Sequence, residues 1–212
     1  MKTETLNIYN ELFERYPSLT AAKDSIAAAF GILEKAVANG KKIVLCGNGG
    51  SAADCEHIVG ELMKSFKKKR PIDAKVFDNL SAFGEEVEKL KNALDGTIRA
   101  TSLTAHVSLS TAFANDKEPT VGFAQQLYGL ADEGDALLTI STSGNSENCV
   151  LAAITAKAKG MKVVALTGKN DSRLSRIADV TITVPETETY KVQELHLPIY
   201  HCLCAMLEEE NF

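Results

Sequence analysis

No two cysteines in this 212-residue chain are spaced C-x-x-C. The five present, Cys46, Cys55, Cys149, Cys202 and Cys204, are odd in number and scattered. This argues against a disulfide framework and a cysteine zinc site, leaving them as small buried thiols. No stretch approaches the roughly 18 apolar residues a membrane helix needs, and Met1-Lys2-Thr3-Glu4 opens polar, without an apolar signal core. The sequence therefore predicts a cytoplasmic protein with no membrane partner. Positive charge is not in excess either. With 23 Lys and Arg against 28 Asp and Glu, the net charge is -5, which argues against a nucleic-acid surface. The local run Lys67-Lys68-Lys69-Arg70 reads as a solvated helix end, contact with an anionic substrate being the alternative. G-x-G-x-x-G and the Walker Gly-Lys-Ser/Thr are both missing, so neither a dinucleotide nor a nucleoside triphosphate is the expected ligand. Hydrophobic content of 45% with 24% charged residues suits one large soluble domain over 1–212 with a full core.

What the chain does contain is two short loops of similar chemistry. Cys46-Gly47-Asn48-Gly49-Gly50-Ser51 follows the apolar run from Lys42, and Ser141-Thr142-Ser143-Gly144-Asn145-Ser146 follows Ala136 to Ile140. Each falls where a buried strand ends and a helix begins. Glycines let the backbone approach a ligand, and free N–H groups with hydroxyls at a helix N-terminus form an anion cradle. One such loop is an ordinary strand-to-helix turn. Two, both at the carboxyl ends of parallel strands, point to a phosphate site.

Hydrophobic periodicity gives helices over Leu6 to Tyr16 and Leu19 to Asn39, with Gly40 as a stop. A strand over Lys42 to Cys46 and a helix from Ser51 to Lys67, capped by Ser51, come next. Strand-helix pairs then repeat: Ile98 to Leu103 with Ser108 to Ala114, Ala136 to Ile140 with Ser146 to Lys159, and Val163 to Leu166 with Ser172 to Ala178. Val180 to Val184 and a long helix from Thr189 to Glu210 close the chain. This alternation predicts an α/β, doubly wound, five-stranded parallel sheet with helices on both faces and long terminal helices. The terminal helices are apolar enough to serve as subunit contacts. The stretch at about 72–97, with the charged segment Glu85 to Lys91, reads as an insertion carrying a surface helix.

Two groups of residues can do chemistry. His57 and Glu61 are four apart, on one helical face just beyond the glycine loop. Such a pair can bind a metal, move a proton, or be an exposed helix pair with Lys64 or Ser65 nearby. The final helix carries Gln193, Glu194, His196 and His201 among apolar neighbours, and buried polar groups need partners. Gln193 and His201 are about 12 Å apart in axial rise, near the limit for sharing one ion. A bend at Pro198 or a neighbouring subunit would ease that limit.

In combination, the two loops, His57 with Glu61, and Val192-Gln193-Glu194-Leu195-His196 through His201 resemble the sugar isomerase (SIS) domain family, and within it the phosphoheptose isomerases. Glu133-Gly134-Asp135 and Lys162 to Gly168 add to the match, which runs from about residue 20 to the C-terminus. The resemblance implies an SIS, flavodoxin-like fold and a homotetramer. It implies substrate contacts at Asn48, Gly49, Gly50 and Ser51, a phosphate end held by Ser141, Thr142, Ser143 and Ser146, and a sugar pocket lined by Asn115-Asp116. It implies zinc held by His57, Glu61, Gln193 and His201, with Glu61 and His201 also as catalytic base and acid and Gln193 and Glu61 also touching substrate. His196 matches no ligand. The chain departs from the family at Ser65, where an arginine is usual, at Tyr190, where an aspartate is usual, and in the insertion.

The expected activity is aldose-ketose isomerisation of sedoheptulose 7-phosphate to D-glycero-D-manno-heptose 7-phosphate or a closely related sugar phosphate. Other SIS proteins keep the loops but lack the carboxylate and histidine, so a non-catalytic partner-binding protein is the alternative, as is a sugar-phosphate sensor. Retention of both groups favours the enzyme.

Overall fold

A computed structural model describes all 212 residues, Met1–Phe212. Five parallel strands form one sheet in the order β2-β1-β3-β4-β5: β1 (Ile43–Gly47), β2 (Ala100–Ser102), β3 (Ala136–Ile140), β4 (Lys162–Thr167) and β5 (Val180–Thr183). Ile43 pairs with Ala100 on one side and Ala136 on the other, so both neighbours of β1 run parallel to it. The side chains of β1 and β3 are buried along their whole length, as strands covered on both faces require.

Alternate residues of each strand serve two separate cores. Ile43, Leu45, Leu138, Ile140, Val164 and Leu166 pack beneath α1 (Thr3–Arg15), α2 (Lys23–Ala38), α3 (Gly50–Met63) and α9 (Thr189–Asn211). Val44, Cys46, Leu137, Val163 and Ala165 pack against α6 (Gly122–Leu130), α7 (Glu147–Ala158) and α8 (Arg173–Ile177) on the other face. The expected doubly wound fold is what forms. All five cysteines are free and buried, and no helix is long and apolar enough to cross a membrane.

Several local expectations are corrected. The second helix begins only at Lys23, because Pro17–Ala22 forms a 3-10 segment led by a proline that fixes its backbone. Gly49, not Ser51, is the N-cap of α3, whose C-terminus is Met63 rather than Lys67. A positive φ of 56° at Gly49 turns the chain one step early, a conformation that glycine adopts without strain. Ser51 falls inside the first turn, 3% exposed. The helix after β2 is two: α5 (Val107–Asp116) and the unanticipated α6, a short element between glycines with too few turns to show a clear period. The stretch at 72–97 holds a 3-10 segment, Ala74–Phe83, and α4 (Gly84–Ala93). Helix α9 runs through Pro198 without interruption. The apolar faces of α1 and α9 pack on each other, and α9 also packs on α2 and α3.

Candidate active site

The strand order reverses direction between β1 and β3, and their following loops open at that point. Ligands of doubly wound sheets bind at such a switch point. Here it forms a cavity of about 250 Å³ lined by Asn48, Gly49, Gly50, Ser51, Ile140, Ser141, Thr142, Ser146, Thr189 and Gln193. No lining residue carries charge. An anion in it would be held by hydroxyl and N–H dipoles at the starts of α3 and α7, neither of which has a side-chain cap. The Ser141 and Ser146 hydroxyls are 3.0 Å apart across the serine loop. Asn48 and Asn148 exchange two amide hydrogen bonds of 2.8 Å, tying one loop to the other.

Ser143 is exposed and outside the cavity; its hydroxyl accepts the Asn145 N–H in a local turn. Asn115 and Asp116 lie exposed at the end of α5, bonded to each other at 2.8 Å and also outside this cavity. The basic run lies elsewhere again. Arg70 is fully buried, its guanidinium donating to Glu208 Oε1 at 2.7 Å and to the carbonyls of Leu62 and Glu61 at 2.6 and 2.8 Å. Glu208 also accepts the N–H groups of Phe66, Lys67 and Lys68. Burial raises its pKa, but these donors and Arg70 outweigh that and hold it below the usual range. The cluster fastens the end of α3 to the end of α9.

Those two helices run side by side in the same direction. Gln193 packs on Gly50, where a Cβ would lie 2.5 Å from its Nε2, so a larger residue there would push the Gln193 amide aside. About two turns further along each helix, His201 Nε2 lies 3.4 Å from His57 Nε2, which is 3.2 Å from Glu61 Oε1. Of the four residues expected to hold zinc, three are thus in contact and Gln193 sits at the other end of the groove. The rise from Gly50 to His57 is about 10 Å. His201 has a lowered pKa, first through burial and second through the neighbouring His57, with Glu61 opposing. Lys64 Nζ approaches Glu61 Oε2 at 3.3 Å.

Two imidazoles and a carboxylate are donors zinc accepts. Their separations of 3.2 and 3.4 Å resemble the edge, about 3.3 Å, of a tetrahedron with bonds of about 2.0 Å. As placed, the three meet in a chain through His57 Nε2, and no three His, Cys, Asp or Glu side chains enclose a common point.

Residues 99–206 and 9–91 each match the SIS domain family. A phosphoheptose isomerase of a Nitratiruptor species is 39% identical over 175 residues, 82% of this chain and 80% of that protein. The chain belongs to the SIS domain family, among the phosphoheptose isomerases. The corresponding protein of Akkermansia muciniphila is 33% identical, with 94% of this chain and 92% of the relative aligned. The solved structure of a phosphoheptose isomerase from Francisella tularensis superposes with a TM-score of 0.76 at 30% identity, covering 99% of this chain and all of that one. The chemistry of this group is aldose-ketose isomerisation, which needs acid and base groups of the kind that His57, Glu61 and His201 bring together.

Sequence reasoning missed Thr189 in the cavity, the Asn148 partner of Asn48, the Arg70–Glu208 cluster, and Asp54 with Tyr200 behind His57. Only Asn148 carried a signal, since it lies two residues past a loop already singled out.

Proposed function

We propose that this chain interconverts sedoheptulose 7-phosphate and a heptose 7-phosphate, binding the phosphate at the two loops and reacting at Glu61 and His201. The observation that carries this reading is the groove between α3 and α9. A neutral cavity lined by hydroxyl and amide groups lies at one end, and about two helical turns away Glu61 contacts His57, which in turn contacts His201. That separation favours a long phosphorylated chain over a short one.

Glu61 takes the proton from the carbon beside the carbonyl and returns it to the adjoining carbon, passing through an enediol. His201, whose pKa burial lowers, moves the proton between the two sugar oxygens. Asn48, Ser51, Ser141, Thr142, Ser146 and Gln193 orient the substrate. Zinc is part of the proposal: His57, Glu61 and His201 would hold it, and the ion would polarise the carbonyl, while Gln193 stays at the cavity end of the groove. A homotetramer in the cytoplasm is also proposed. The exposed Val107 and Leu109 of α5 and Tyr128 and Leu130 of α6 support assembly, and Asn115-Asp116 on α5 would then line a neighbouring subunit's pocket.

The test is NMR of sedoheptulose 7-phosphate in deuterated water, where an enediol route also labels the carbon beside the carbonyl. Glu61→Gln should lower kcat by at least about 10²-fold with the fold intact, and His201→Asn likewise. Absence of both turnover and label with wild-type protein would overturn the isomerase reading in favour of a sensor.

A further inference from the structure

Behind His57, on the side away from Glu61, lie two polar groups with no part in the mechanism above. Tyr200, 1% exposed, donates its hydroxyl proton to Asp54 Oδ1 at 3.1 Å, and its oxygen lies 3.2 Å from His57 Nδ1. Asp54 Oδ2 is buried with no partner, so the Tyr200 hydroxyl is the side-chain donor this carboxylate has. The tyrosine ring also meets both imidazoles edge-on, with centroids 5.6 Å from His57 and 4.9 Å from His201.

The proton count follows from the donors available. A phenol has one proton, and an ionised carboxylate can only accept. With that proton on the Asp54 side, the phenol oxygen is left as an acceptor, and the only proton it can take from the imidazole is one on Nδ1. His57 then carries its lone pair on Nε2, which faces Glu61 Oε1 at 3.2 Å and His201 Nε2 at 3.4 Å. A lone pair against a carboxylate is two acceptors without a donor, an arrangement that calls for a cation between them.

We propose that Asp54 and Tyr200 are positioning residues that hold His57 in its Nδ1–H form, so that Nε2 is presented as a cation-accepting nitrogen at the reacting centre. The cation is a proton or a divalent metal. Ligand histidines are commonly oriented through their second nitrogen in this way. The inference rests on the reading of His57, Glu61 and His201 as that centre, and it concerns two residues of the adjoining helix faces.

Nitrogen-15 NMR of the histidine-labelled, chelator-treated protein reads the tautomer directly, above the pH range in which imidazole is charged. The chain has only four histidines, and a His57→Gln spectrum assigns the relevant one. Wild type should show a protonated Nδ1 and a bare Nε2 at His57, and Tyr200→Phe should shift the ring to a mixture. Zinc affinity, measured by competition with a chromophoric chelator, should weaken about 10- to 100-fold in Tyr200→Phe, and Asp54→Asn should weaken it as well. A bare Nδ1 in wild type, a tautomer unchanged by Tyr200→Phe, or equal zinc affinity in the two proteins would each overturn the proposal. Zinc failing to bind wild type would remove the metal from the proposed function, while the tautomer spectrum still decides this inference.

Discussion

Lowering the pH should unfold this protein partly through one histidine that takes no part in the chemistry. His196 lies on α9 with no exposed surface, and neither ring nitrogen has a hydrogen-bond partner of normal geometry. Burial lowers its pKa from 6.5 to about 4, opposed by the Thr167 backbone. The unfolded chain therefore takes up this proton first. The stability associated with neutral His196 is fully present above pH 6.5 and is lost as pH falls through about 4. From those two values the loss is about 2 kcal/mol between roughly pH 7.5 and 5, rising to about 3 kcal/mol in stronger acid. Urea unfolding at fixed protein concentration, followed by circular dichroism at both pH values, measures it. His196→Leu fills a similar volume without a titratable group, so it should remove about 2 kcal/mol of the pH dependence while leaving other groups unchanged. At neutral pH the variant should be no less stable, because two unpartnered nitrogens leave the core. Equal losses in wild type and variant would refute the argument.

Other perturbations address the cradle, the helix ends and the metal. Ser141→Ala with Ser146→Ala should raise KM for the sugar phosphate, each lost charge-assisted bond costing about 1.5 to 3 kcal/mol; equal calorimetric affinity for the phosphorylated and unphosphorylated sugar would remove the phosphate assignment. Arg70→Met strands the Glu208 carboxylate and two helix carbonyls, so denaturant unfolding should show a loss of about 3 to 5 kcal/mol. Arg70→Lys should restore only part of it, since one ammonium cannot replace the fork, and a loss under about 1 kcal/mol would show that water replaces the guanidinium. Elemental analysis of protein purified without chelator should find about one zinc per chain, and background metal with chelator-insensitive turnover would leave acid-base chemistry alone at the centre.

The sequence by itself determined the fold class and singled out the two loops that line the cavity at the switch point. Five short apolar runs alternating with helical periods admit little besides a parallel sheet covered on both faces, and Gly47 to Ser51 and Ser141 to Ser146 fall at strand ends by chain order alone. His57 and Glu61 were legible together because four residues is one helical turn. Helix α6 was not legible, since nine residues hold too few turns to establish a period.

Tertiary structure decided whatever depends on two distant segments meeting. That α3 and α9 run parallel, so that Gln193 reaches Gly50 while His201 reaches His57, follows from how both helices pack on one sheet face. No local pattern encodes it. The same holds for Arg70, which a run of four basic residues presents as solvated until Glu208, 138 positions later, supplies the buried carboxylate that makes its burial favourable. Tyr200 went unmarked in the last helix, because its hydroxyl acquires a role only when packing sets it between Asp54 and His57. Periodicity records which side of an element is buried, whereas the identity of the group across the contact is set by the three-dimensional arrangement of the whole chain.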